Sequence, residues 1–118
     1  MKRLIFISFI LLALTSCGKE KDEIYDEPGY AIGTITSSIS AFSAITYYYK
    51  YEAGSVTHKG NKNGVDISNG YSVVGRQYLV VYKLSEPSKS DLNFHYPINN
   101  EQEFLDLVAK FKNNPPKP

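Results

Sequence analysis

A period of two runs through the middle of the chain. From Ile45 to Ala53, Ile45, Tyr47, Tyr49 and Tyr51 fall on one side, with Thr46, Tyr48, Lys50 and Glu52 on the other. Side chains along a strand point alternately to opposite faces, so this segment reads as a strand with the first set in the core and the second in water. Tyr30 to Ile39 also alternates, setting Ile32, Thr34 and Thr36 against Ile35, Ser37 and Ile39. Both of its sides carry apolar groups, which leaves the register open. Ser40 to Ser43 permits a turn, and Ala53-Gly54 turns the chain into Ser55–Lys59. Asn63-Gly64 and Asn69-Gly70 are turn signals, because both residue types tolerate positive φ. Gln77 to Leu84 is a dense apolar strand ending before Glu86-Pro87, and Leu92 to Tyr96 reads as a last strand stopped by Pro97.

Near the C-terminus the period lengthens. Phe104, Leu107, Val108 and Phe111 recur at helical spacing, with Leu105 beside them. Asn100 stands three residues before Glu103, close to a capping box. Lys110 and Lys112 fall in the last turn, where the helix dipole favours cations, and Asn113-Asn114-Pro115-Pro116 ends the run. A helix this short is marginal alone, so it must dock. The expected fold is mainly β (α+β): a small antiparallel β-meander or partly open barrel with one C-terminal helix, about residues 100–112, packed on it. Aromatic and β-branched residues support this, since seven of the ten tyrosines fall between Tyr47 and Tyr82.

The first residues follow another logic. Lys2 and Arg3 precede an apolar run, Leu4 to Leu14, interrupted only by Ser8, and then the small residues Thr15 and Ser16. This is the layout of a secretory signal peptide, residues 1–16. At about 11 residues the apolar run falls well short of the ~20 that span a bilayer. Gly18 to Gly29 is charged, poor in apolar residues and closed by Pro28-Gly29, so with Cys17 it reads as a flexible acidic tether over residues 17–29. The folded domain is then residues 30–118.

Three resemblances follow from these residues. Leu14-Thr15-Ser16-Cys17 resembles the lipobox of bacterial lipoproteins. It implies cleavage between Ser16 and Cys17, a diacylglyceryl group on the Cys17 thiol and acylation of the new amino group. Two or three chains on one residue make a lasting anchor, whereas one chain binds only marginally. Lys19-Glu20-Lys21-Asp22-Glu23 resembles the surface-export signal of lipoproteins in Bacteroides-like bacteria. That resemblance implies an outer-membrane location, with surface display ahead of the periplasmic face. Third, Tyr47-Tyr48-Tyr49-Lys50-Tyr51, Gly54, His58-Lys59-Gly60 and Val74-Gly75-Arg76-Gln77-Tyr78-Leu79-Val80-Val81-Tyr82, with Glu86-Pro87 and Ser90, are similar to small β domains of unknown function in bacterial membrane and lipoproteins. This likeness covers about residues 45–90. His58 departs from it, standing where an aromatic residue is usual, and it implies a fold without an activity.

Charge and cysteine count remove several classes. The chain carries 13 Lys+Arg against 12 Asp+Glu. Without residues 1–16 the balance is −1, which splits into −3 for Gly18–Gly29 and +2 for the rest. Nucleic-acid binders show a clustered basic face instead, so no nucleic-acid partner is expected. The one cysteine, Cys17, permits no intramolecular disulfide and, once lipidated, no thiolate chemistry.

Candidate chemistry is thin. His58 near a turn is a weak metal ligand or base, and His95 reads as an edge-strand residue. Asn61-Lys62-Asn63-Gly64-Val65-Asp66 faintly suggests a calcium loop but lacks its carboxylates, so a hairpin or loop is favoured. Neither a nucleophile elbow nor a phosphate loop is visible. No catalytic residue, metal or cofactor is expected. Tyr48, on the wet side of its strand, is the candidate binding-surface residue. The function these readings support is a membrane-anchored, non-catalytic binding module. Its partners are the bilayer, through acylated Cys17, and an unknown envelope protein or glycan. The alternative is an immunity or inhibitor lipoprotein that neutralises a toxin or hydrolase at the envelope.

Overall fold

The computed structural model describes residues 21–118. Five antiparallel strands form one sheet: β1 (Pro28–Ala41), β2 (Ala44–Ala53), β3 (Val56–Gly64), β4 (Gln77–Lys83) and β5 (Glu86–Pro97). Residues 21–26 are helical (α1), and a C-terminal helix α2 spans Glu101–Phe111. The spatial order is β3-β2-β1-β4-β5, and the sheet curls into a half-barrel. β1 is its centre. Two hairpins carry the chain from β1 to β3, and residues 65–76 then cross to the other side of β1, where Ala31 pairs with Val80. The chain is thus a meander only as far as β3. The first hairpin turns at Phe42-Ser43, with Phe42 at φ 59° and fully exposed. Register shifts between Ile35 and Ser37 and at two points of the β4–β5 ladder supply local twist for the curl.

The alternation in β2 is realised as expected. Tyr47, Tyr49 and Tyr51 are buried in the barrel with Ala31, Ile35, Val80 and Leu92, while Tyr48, Lys50 and Glu52 face water. Between Gln77 and Lys83, β4 is a run of aromatic and aliphatic residues because both of its faces are covered. Tyr78 and Val80 point inward. Leu79 and Val81 point outward, into a second cluster with Ile24 of α1 and Phe111 of α2. Phe111 meets the rings of Tyr30 and Tyr96 at 5.0 and 5.4 Å. At the start of α2 the Asn100 side chain accepts the Glu103 N–H at 2.9 Å. Glu103 reaches back to the Asn99 N–H, one residue earlier than in a standard capping box.

A core of tyrosines needs partners for its hydroxyls. Tyr47 donates to the Val65 carbonyl at 2.7 Å and accepts the Ile67 N–H at 3.1 Å. Tyr51 donates to the Pro87 carbonyl at 2.6 Å, and Tyr49 shares a 2.7 Å bond with Ser90. No buried side-chain polar atom among the described residues is left unpaired.

Several expectations require correction. The 17–29 segment is not a flexible tether over its described part. Residues 21–26 are helical, Ile24 is 4% exposed, and the Glu27 carbonyl accepts the Leu84 N–H. Two adjacent apolar residues, Ile24 and Tyr25, land on the outer face of β4 and β5, and tertiary docking stabilises a helix too short to stand alone. The folded unit therefore includes residues from Lys21 onward, and β1 begins at Pro28 rather than Tyr30. Asn63-Gly64 is no turn: Gly64 pairs with Ile45 inside the β2–β3 ladder. Asn69-Gly70 is one, with φ of 52° and 84°. The last strand starts at Glu86, not Leu92, because an edge strand accepts Pro87. Ser16, Cys17 and the rest of the signal-like segment lie outside the described residues. Among the described residues no helix is long and apolar enough to cross a membrane.

Candidate ligand cleft at the open seam

β3 and β5 are the two edges of the sheet, and among the described residues no ladder joins them. Side chains close the seam instead. Lys62 reaches from β3 to β5 and donates to the Leu92 carbonyl at 2.6 Å and to Asp91 Oδ1 at 3.0 Å. Its ammonium also lies 5.3 Å from the centre of the Phe94 ring. The Tyr49–Ser90 and Tyr51–Pro87 bonds tie β2 to the same strand.

Outside this seam, α1, β3 and β5 frame a cleft of about 520 Å³. Lys21 and Ile24 of α1 form one wall, residues 59–63 of β3 a second and residues 88–91 of β5 a third, with Tyr49 at the base. Gly60 is required there, since a Cβ at that position would run into the Tyr49 ring. The lining carries four lysines, Lys21, Lys59, Lys62 and Lys89, against one carboxylate, Asp91.

Asp91 is already engaged. Its side chain is 10% exposed and accepts from Lys62 and from the Tyr25 hydroxyl at 2.7 Å, with Lys21 at 4.0 Å. Tyr25 in turn accepts from Asn93 Nδ2 at 3.0 Å, and Asn93 also donates to the Lys117 carbonyl. One polar network thus joins α1, β3, β5 and the C-terminal segment. Lys89 pairs with Glu86 at 3.4 Å in a partly exposed contact, of a kind worth only about 0–1 kcal/mol. Lys59 is exposed and forms no ion pair among the described residues. The cleft therefore offers cationic and hydrogen-bonding groups to an anion.

Burial holds the Tyr25 and Tyr49 hydroxyls well above the usual phenol range. The Asp91 bond adds to this at Tyr25, while the Ser90 bond opposes it at Tyr49. Both hydroxyls are protonated at physiological pH. A phenol kept protonated when folded, but ionising near pH 10 when unfolded, leaves the unfolded chain with fewer bound protons above that pH. Its contribution to stability is intact below about pH 10 and shrinks as pH rises beyond it. Alkaline titration of unfolding should therefore show stability falling above about pH 10, and less steeply in Tyr25→Phe. A flat profile to pH 12 or so would refute the assignment.

The candidates singled out from sequence are distributed elsewhere. Tyr48 faces outward, 37% exposed. Its cross-strand neighbours are Ser37 and Asn61, so adjacent strands bring it no further tyrosine. His58 stacks on Tyr51 at 5.4 Å. His95 is exposed on β5, and its N–H donates to Asn93 Oδ1. The calcium-like stretch is divided between β3 and the following loop, where Asp66 accepts the Ser68 N–H at 2.8 Å. Bonds from Ser68 hold the Asp66 carboxyl below its ordinary range. Among the described residues no three His, Cys, Asp or Glu side chains gather as metal ligands. The cleft is not evident in the sequence, because Asn61 to Asp66 reads as a hairpin or loop and Asn63-Gly64 as a turn, which hides the continuation of β3 to Gly64. The available signal was the run Lys59, Asn61, Asn63, polar at every second position. No family model, curated protein or solved structure matches the chain.

Proposed function

We propose that this chain is a lipid-anchored, non-catalytic binding protein of the bacterial cell envelope, held in the outer membrane with its domain on the cell surface. The observation that carries this reading is Leu14-Thr15-Ser16-Cys17 behind a basic and then apolar N-terminus. The seam cleft supports the binding half, because it presents polar and cationic groups in a space of the size that takes small ligands.

Cys17→Ala is the direct test. The wild-type protein should partition into the detergent phase of a phase-separating extract. The variant should move to the aqueous phase or accumulate with its signal segment uncut. Equal partitioning and equal processing of the two would refute the anchor.

A further inference from the structure

We propose that the seam cleft receives the phosphate-bearing headgroup of an anionic lipid in the membrane that holds the anchor, an inference that rests on the lipidation reading of Cys17. Three observations meet here. The first is the position of α1. Lys21 lines the cleft and stands four residues after Cys17. A chain extends at most ~3.6 Å per residue, so the cleft wall lies within about 14 Å of an acyl-bearing residue. A domain on a dozen-residue tether would carry no such constraint.

The second observation is charge. Four lysines face one aspartate, and that aspartate is occupied by Lys62 and Tyr25. Lys62 is fixed by its two bonds to β5, whereas Lys59 is exposed and Lys89 is held only by Glu86. Lysines close to an anionic surface are attracted to it, and the attraction fades within a Debye length of about 8 Å at physiological salt. The anchor ties Lys21 to the bilayer, and Lys59 and Lys89 line the same cleft as Lys21. The third observation is the lining. Asn61 and Ser88 supply an amide and a hydroxyl group, and Asn63 and Ser90, bonded to Thr46 and Tyr49, complete a polar lining, which suits the ester and hydroxyl oxygens of a headgroup better than an acyl chain. Ile24 is turned into the cluster beneath α1, so the cleft has little apolar surface to hold a tail.

The test uses the full acylated protein in vesicles of phosphatidylcholine, with or without phosphatidylglycerol. An amine-acylating reagent is applied and the modification of each lysine is read by mass spectrometry. Lys59 and Lys89 should react at least about fivefold more slowly in the phosphatidylglycerol vesicles, the attraction expected for a lysine near an anionic surface. Lys110 on α2 should change little, and Lys59→Gln should weaken the protection of Lys89.

Equal reactivity of Lys59 and Lys89 in both vesicles overturns the proposal. So does an equal slowing of Lys110, which would mark general surface attraction. Soluble glycerol phosphate giving the same protection in phosphatidylcholine vesicles would replace the membrane headgroup with a free phosphate and overturn the assignment of source. An acidic peptide protecting these lysines more strongly than the lipid does would also overturn it. Failure to float with phosphatidylcholine vesicles defeats the anchor, and the headgroup proposal falls with it. Flotation with unchanged labelling defeats the headgroup proposal alone.

Discussion

Tyr47→Ala should destabilise the domain by about 3–5 kcal/mol, the usual cost of removing a large buried aromatic side chain. Tyr47 is 1% exposed, and its ring meets the edge of Phe94 at 5.2 Å. Its hydroxyl takes both a carbonyl and an N–H from the crossover at Val65 and Ile67. The substitution therefore opens a cavity and releases the loop that leads to β4. Domains of this size have roughly 5–15 kcal/mol in total, so much of the stability should disappear. Tyr47→Phe keeps the ring and loses only the hydroxyl bonds, at about 1–3 kcal/mol. Urea unfolding of both variants separates packing from hydrogen bonding. An alanine variant no weaker than the phenylalanine variant would contradict the described core.

Asp91→Ala should cost about 2–4 kcal/mol and act mainly at one edge of the molecule. Removing one partner of a buried ion pair costs about 3–5 kcal/mol. Lys62 keeps 21% of its side chain exposed, so water offsets part of that. The loss also strips the Tyr25 hydroxyl of its acceptor, and α1 should loosen. Hydrogen exchange should accelerate across residues 21–26 and at the Leu84 amide, which bonds to Glu27, before it accelerates in β1 and β4. Uniform acceleration over the whole sheet would show that Asp91 supports the barrel rather than the docking of α1.

Legibility of this chain followed coverage. β2 was readable because one of its faces is buried and the other wet, so the tyrosine alternation maps directly onto inside and outside. α2 was readable from its spacing and from Asn100. β4 announced burial but no face, since Leu79 and Val81 pack under helices while Tyr78 and Val80 fill the barrel. α1 was hidden because its charged composition outweighed two apolar residues, and the value of Ile24 and Tyr25 depends on a surface made by distant strands. The cleft was hidden for a related reason. Lys59 and Lys89 are 30 positions apart and line one cleft only because the crossover places β5 at the edge opposite β3. A local pattern carries no trace of that encounter.

The place of β1 at the centre of the sheet also bears on how the molecule forms. Its first partner, β2, follows after a two-residue turn, but its second, β4, is far along the chain: Pro28 pairs with Lys83. Local hairpins close in microseconds, whereas distant pairings carry a larger loop-closure entropy and set the overall rate. A chain appearing N-terminus first would complete β1 to β3 as a three-stranded sheet in which β1, central in the finished fold, is an unpaired edge. That edge stays open to neighbouring chains until Gln77–Lys83 arrives. The vulnerable interval in the life of this protein is thus the time taken to deliver residues 65–83, and a factor that shields nascent strands would act in that interval.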